Sequence, residues 1–227
     1  MPDQDQVAKV VKHIADTIGD QDSWVGYPGG WAGQIELALL DAVFSANARY
    51  GKPASGGRAA TGVHKVIDNW REVRGVSPLD SLSALIAAAQ DLGLENLPDR
   101  LDNRQTVPGG AMRKGVAVYE AAVRLAGVGV DHSSDLADDQ VRGAALEAYT
   151  SVPGLGWVTF DYFLSLLGHP TVKADRMVIR FVKAAVGATP TAEDARTLLL
   201  ASSTALEVED PRVLDHAVWE YQSSLRE

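Results

Sequence analysis

Cysteine is absent from the 227 residues, so disulfides, thiolate metal sites and iron–sulfur clusters are excluded as elements of this chain. Aromatic residues are few, at 7%. No stretch is apolar for the length that a membrane span needs. The start, Met1-Pro-Asp-Gln-Asp-Gln, has neither the basic residues nor the apolar run of a secretory signal. The expectation is a soluble, cytoplasmic protein with no membrane partner. Positive charge is also scarce, with 21 Lys and Arg against 30 acids and a net charge of −9. A nucleic-acid binder usually carries a basic footprint, so any such surface must be local. The acids crowd residues 3–22, 131–147 and 193–210, whereas Lys173, Arg176, Arg180 and Lys183 lie close together with few acids among them.

Alanine, leucine and valine are plentiful, and glycine and proline fall mostly between periodic segments. That pattern predicts an all-α protein, long enough to bury one large core or two smaller ones. Val7, Val10, Val11, Ile14 and Ile18 repeat at helical spacing, with His13 on or beside the polar face and expected to be solvated. Residues 19–33, with Trp24, Tyr27 and Trp31, read as a loop pinned by aromatic packing. A strongly apolar helix follows over 35–48, ending in Phe44-Ser-Ala-Asn-Ala-Arg49. Residues 51–62 read as a flexible surface loop. Helices are then expected over 63–73, from Pro78 to Gly93, over 112–125, and over 134–149 with Ser133 or Ser134 as N-cap. Towards the end, Thr191-Ala-Glu-Asp and Pro211 read as helix starts. No internal repeat or low-complexity tract is present.

The most informative stretch is Val152-Pro-Gly-Leu-Gly-Trp-Val-Thr159. Proline starts a turn there, and glycine can supply the positive φ that side chains resist. Two helices joined by a very tight hairpin are expected. The N–H groups at the start of the second helix, with its dipole, favour an anion such as phosphate. Twenty residues on, Asp175 sits among basic groups in Lys173-Ala-Asp-Arg-Met-Val-Ile-Arg180, at the start of another helix. Its plainest structural role is an N-cap or an ion-pair partner of Arg176 or Arg180.

The hairpin, the Gly168-His169-Pro170 turn and Asp175 together resemble the helix-hairpin-helix DNA glycosylase superfamily. The resemblance is weak over about residues 35–182 and close over 152–182. It implies a two-lobed helical fold. One lobe would span residues 33–172, including the hairpin at about 152–167; the other would join 1–32 to 173–227. It implies a monomer acting on double-stranded DNA, removing a damaged or modified base by hydrolysis of its N-glycosidic bond in base excision repair.

By the same resemblance Asp175 is the catalytic carboxylate. Gly154, Gly156, Trp157, Thr159, Lys173, Arg176 and Arg180 contact phosphates, and Asn47 fills the gap left by an extruded nucleotide. A K+ or Na+ ion would rest on the hairpin carbonyls of Val152 and Leu155, with no other cofactor. Members that also cleave the strand carry a nucleophilic lysine where this chain has Val158. A lyase step there is therefore not expected, and Lys173 is the reserve position. Where relatives often carry Thr-His after the aspartate, this chain has Arg176-Met177. Trp31, Trp157, Tyr162 and Trp219 are candidates for a base pocket, or simply for the core. Two further readings stay open: a helix-hairpin-helix protein that binds DNA without chemistry, and a diverged helical protein that binds a protein or a small ligand.

Overall fold

The computed structural model describes residues 3–25, 29–76, 78–110 and 112–225; Tyr27 lies outside them. The described residues form eleven α-helices, three short 3-10 turns and no strand beyond isolated bridges. No helix among them is long and apolar enough to cross a membrane. The fold is all-α.

The helices begin where polar side chains satisfy open N–H groups. α1 (Gln4–Thr17) is capped by Asp3 and buries Val7, Val10 and Ile14. α2 (Ile35–Ser45) is buried along almost its whole length. It stops three residues before the expected end, and Asn47 follows in a left-handed conformation at φ +50°. α3 (Gly62–Arg74) ends on Gly75 at φ +60°. α4 (Leu82–Leu92) starts after Ser81, whose hydroxyl accepts the Ala84 N–H, and not at Pro78. Proline lacks an N–H and suits a first turn, but serine supplies the acceptor that a first turn needs.

A single turn, α5 (Leu97–Arg100), and α6 (Lys114–Gly127) come next. α7 (Asp139–Thr150) is capped by Asp138, which accepts from the Gln140 and Val141 N–H groups. Ser133 and Ser134 lie instead in a preceding 3-10 turn. After α8 (Trp157–Leu167) and α9 (Arg176–Val186) come α10 (Ala192–Ala205), capped by Thr191, and α11 (Pro211–Ser224), with proline in its first turn.

The chain divides into two compact units, Gly30–Gly168 and Met1–Gly29 with His169–Glu227. In the first, α2 is the central rod and packs against α3, α4, α6 and α8. Trp70, Tyr149, Phe44 and Phe163 fill the core around it. Two acids lie inside this rod. Glu36, with no exposed surface, accepts Trp70 Nε1 at 2.9 Å and a two-pronged contact from Arg74, Nε at 2.9 Å and Nη2 at 3.1 Å. Asp41, equally buried, accepts Trp31 Nε1 at 2.9 Å, Tyr50 Oη at 2.6 Å and Tyr162 Oη at 3.3 Å. Buried carboxylates persist only with such partners.

In the other unit α1 packs on α9 and α10, and α9 also holds α11. Val10, Ile14, Phe181, Leu199 and Leu214 form its centre. His13 is not solvated as expected. Its ring lies 4.7 Å from that of Phe181, its Nε2 is buried, and burial lowers its pKa from the usual 6.5. Helical spacing placed the residue beside the polar face, but α9 covers that edge.

Candidate nucleic-acid interface

The hairpin lies in the Gly30–Gly168 unit. Its two glycines do different work, and Gly154 alone supplies the positive φ of the turn. Gly154 has φ +87°, and a Cβ there would lie 2.4 Å from Val107 Cγ2 and 2.7 Å from the Pro108 carbonyl oxygen. The bend therefore needs glycine twice over, for its backbone conformation and for its closeness to the 107–108 loop. Gly156 is extended at φ −128°, and a Cβ there would meet nothing within 4 Å. The fold places no demand on that glycine.

Thr159 closes the start of α8: its Oγ1 accepts the Gly156 N–H at 3.2 Å and donates to the Gly156 carbonyl at 2.7 Å. The hydroxyl expected to meet a phosphate thus completes the turn. The N–H groups of Trp157 and Val158 make no hydrogen bond among the described residues, and they open the helix with its positive dipole end. Behind the bend, Val152 has no exposed surface, and neither does Tyr149, whose phenol is pushed above its ordinary range by burial. The Val152 carbonyl accepts the Leu155 N–H at 3.0 Å, and the Leu155 carbonyl accepts no hydrogen bond among the described residues. No group of three or more His, Asp or Glu able to hold a metal occurs among the described residues.

Asn47 belongs to the same unit. Its side chain is exposed, and the turn carrying it sits on the open C-terminal end of α2. Beneath that turn is Lys114, with only 1% of its surface exposed. Its Nζ donates to the carbonyls of Phe44 at 2.9 Å and Ala46 at 2.7 Å, and to Gln105 Oε1 at 3.1 Å. Burial pushes its ammonium down to about 8. Arg113, its neighbour, is exposed.

Asp175 and its basic neighbours lie in the other unit, at the start of α9. Asp175 is the N-cap: its Oδ1 accepts the Met177 N–H at 2.7 Å and the Val178 N–H at 3.4 Å. It forms no ion pair with Arg176 or Arg180 among the described residues, and both arginines are exposed. Arg180 Nη2 lies 3.0 Å from Met177 Sδ. Lys173 is partly buried, and its main-chain N–H donates to Asp215 Oδ2 at 3.2 Å.

Asp215, on α11, was not among the residues singled out from sequence. Burial raises its carboxyl to about 7; the Lys173 N–H opposes this, the Asp175 charge adds to it, and the Lys173 charge opposes it. A carboxyl with a raised folded pKa stabilises fully below its ordinary 3.8, and that contribution is lost as pH rises through about 7. Asp215→Asn removes the titrating group. The denaturation midpoint of the wild type is therefore expected to fall relative to that of Asp215→Asn between pH 5 and pH 8, a difference that chemical unfolding at the two pH values measures.

The aromatic pocket candidates divide. Trp31 and Tyr162 are half-buried and donate to Asp41. Trp157 opens α8 and is half-buried. Trp219 is 46% exposed and stacks on His216 at 5.8 Å.

The family described as Domain of unknown function (DUF8548) matches residues 8–223. No curated protein and no solved structure matches the chain.

Proposed function

From a chain that belongs to the Domain of unknown function (DUF8548) family, we propose a monofunctional DNA glycosylase, with the helix-hairpin-helix glycosylase fold, that hydrolyses the N-glycosidic bond of a damaged or modified base in double-stranded DNA. What supports this most is the bend at Gly154–Gly156. It delivers two unpaired N–H groups to the start of α8 beside a glycine that the fold does not require. A phosphodiester oxygen fits those donors, and the missing side chain at Gly156 leaves room for a sugar–phosphate backbone to approach. A cation on the Val152 and Leu155 carbonyls would offset the charge of that phosphate.

The chemistry assigned to the other unit is simple. The bond between C1′ and the base nitrogen breaks with its electron pair going to the base. The Asp175 carboxylate stabilises the positive charge growing on the sugar. Water adds its oxygen to C1′, and its proton ends on the departing base or in solvent. The nucleotide must first leave the stack, for which Asn47 is the wedge. Lys173, Arg176 and Arg180 supply phosphate contacts. Val158 stands where a Schiff-base lysine would be needed, so the product is an abasic site in an intact strand.

A non-catalytic DNA-binding protein is the second reading, and it has an observation of its own: Asp175 already serves α9 as its N-cap. That same role makes Asp175→Asn an informative substitution, because asparagine caps helices about as well as aspartate. Duplexes carrying alkylated, deaminated or oxidised bases should yield abasic sites with the wild type for at least one class. Asp175→Asn should lower that rate on the order of 10²- to 10⁴-fold, with DNA affinity and thermal unfolding little changed. Release of no base by the wild type, with DNA binding retained, leaves the binding reading. Absence of DNA binding even at low ionic strength removes both and leaves a diverged protein with another ligand.

A further inference from the structure

We infer that Lys114 is a positioning residue that locks the Asn47 turn to the loop seating the Gly154 bend, so that wedge and phosphate grip act as one rigid surface. The inference rests on the DNA-binding part of the function proposed above. It starts from a mismatch between a residue and its surroundings. A lysine is almost never fully buried without a reason, and this one carries its charge into a position with 1% exposure.

Its surroundings supply the reason. α2 ends at Ser45, and an α-helix end leaves carbonyls without N–H partners. Two of these, on Phe44 and Ala46, accept from Lys114 Nζ, and the third ammonium hydrogen goes to Gln105 Oε1. Three donors meet three acceptors. A cation is also the favoured charge at the negative end of a helix dipole. The next residue along the chain is Asn47, at φ +50°, with its side chain exposed and without a hydrogen bond among the described residues. Asparagine enters the left-handed region more readily than other side chains, and the clamp on the preceding carbonyls fixes the turn that carries it.

The second half of the link is the loop itself. The Lys114 N–H donates to the Gln105 carbonyl at 2.9 Å, and the Val107 N–H donates to the Met112 carbonyl at 3.0 Å. This closes the loop onto the start of α6, with Thr106 and Arg113 paired across it. Val107 and Pro108, two and three residues past Gln105, are the atoms that crowd Gly154. One loop therefore touches the Asn47 turn through Lys114 and the phosphate bend through Val107. Loosening the clamp should free Asn47 without unmaking the hairpin.

A double-mutant cycle on DNA binding tests this. The probes are an intact duplex and the same duplex with a tetrahydrofuran abasic-site analogue, whose gap rewards a wedge. Wild type should prefer the abasic duplex. Asn47→Gly, which keeps the left-handed backbone, should lose that preference on the order of tenfold. Lys114→Met should lose a similar factor of that preference. The double variant should lose no more than either alone, because both substitutions break one interaction. Gln105→Leu alters an exposed residue and removes only the third acceptor, so it should fold normally and show a smaller loss in the same direction. Losses that multiply in the double variant, or an undiminished preference in both Lys114→Met and Gln105→Leu, overturn the inference. If the wild type itself shows no DNA binding at low ionic strength, the DNA reading has failed and takes this one with it.

Discussion

Gly154→Ala is expected to destabilise the Gly30–Gly168 unit by about 3–5 kcal/mol, combining the strain of a left-handed alanine with overpacking against the 107–108 loop. At φ +87° the backbone is costly for any side chain, and the added methyl would sit 2.4 Å from Val107 Cγ2 and 2.7 Å from a carbonyl oxygen. The valine can rotate, but the carbonyl belongs to backbone and cannot withdraw without opening the loop. Chemical unfolding followed by circular dichroism measures the loss. Gly156→Ala provides the contrast, with an expected change within about 1 kcal/mol, since it has an ordinary φ and open space for the new atom. Under the proposed function its effect falls on DNA affinity. An alanine at Gly156 that weakens DNA binding while leaving stability alone separates what the proposed phosphate contact needs from what the bend needs. An alanine at Gly154 that is as stable as the wild type would mean that the bend is not held as described.

Arg74→Met is expected to destabilise the same unit by about 3–5 kcal/mol, the range for removing one partner of a buried pair. Glu36 has no exposed surface and sits in the first turn of α2, the helix around which the unit is packed. Without Arg74 it keeps one N–H donor, the Trp70 indole at 2.9 Å, for a full negative charge. Adding Glu36→Gln to Arg74→Met should return a large part of the loss, because a neutral amide has far less hydration to give up. Chemical unfolding followed by circular dichroism measures both results. Losses that simply add in the double variant would show that the two side chains do not act as a pair.

Much of the helical order was legible because it depends on neighbours in sequence. Thr191 and Pro211 mark helix starts through groups within a turn of themselves, and Val7, Val10 and Ile14 reveal a buried stripe by spacing alone. Pro78 reads as a helix start, but the helix begins after Ser81, whose hydroxyl accepts the Ala84 N–H. The other departures arise where a distant element intervenes. His13 lies at the edge of a polar face, but Phe181 reaches it from 168 positions away. Gly156 looks like the twin of Gly154, whereas only Gly154 meets the 107–108 loop. Nothing near Lys114 in sequence foretells its burial, because the carbonyls that draw it inward belong to residues about seventy positions earlier. Asp215 follows an apolar pair on α11 and gives no local hint of the Lys173 amide that it accepts.

The division of the chain also sets an order of assembly during synthesis. α1 emerges before the Gly30–Gly168 unit, yet the side chains that cover Val10 and Ile14 come from Phe181, Leu199 and other residues beyond position 170. The intervening unit is contiguous, Gly30–Gly168, and domains fold as units as the ribosome releases them. The middle of the protein is thus free to fold while α1 waits, apolar stripe uncovered, for the residues beyond position 170. Helix α1 is strongly charged on its outer side, with Asp5, Lys9, Lys12 and Asp16 in ion pairs one turn apart. Those charges keep a waiting segment in solution and discourage it from seeking a wrong partner.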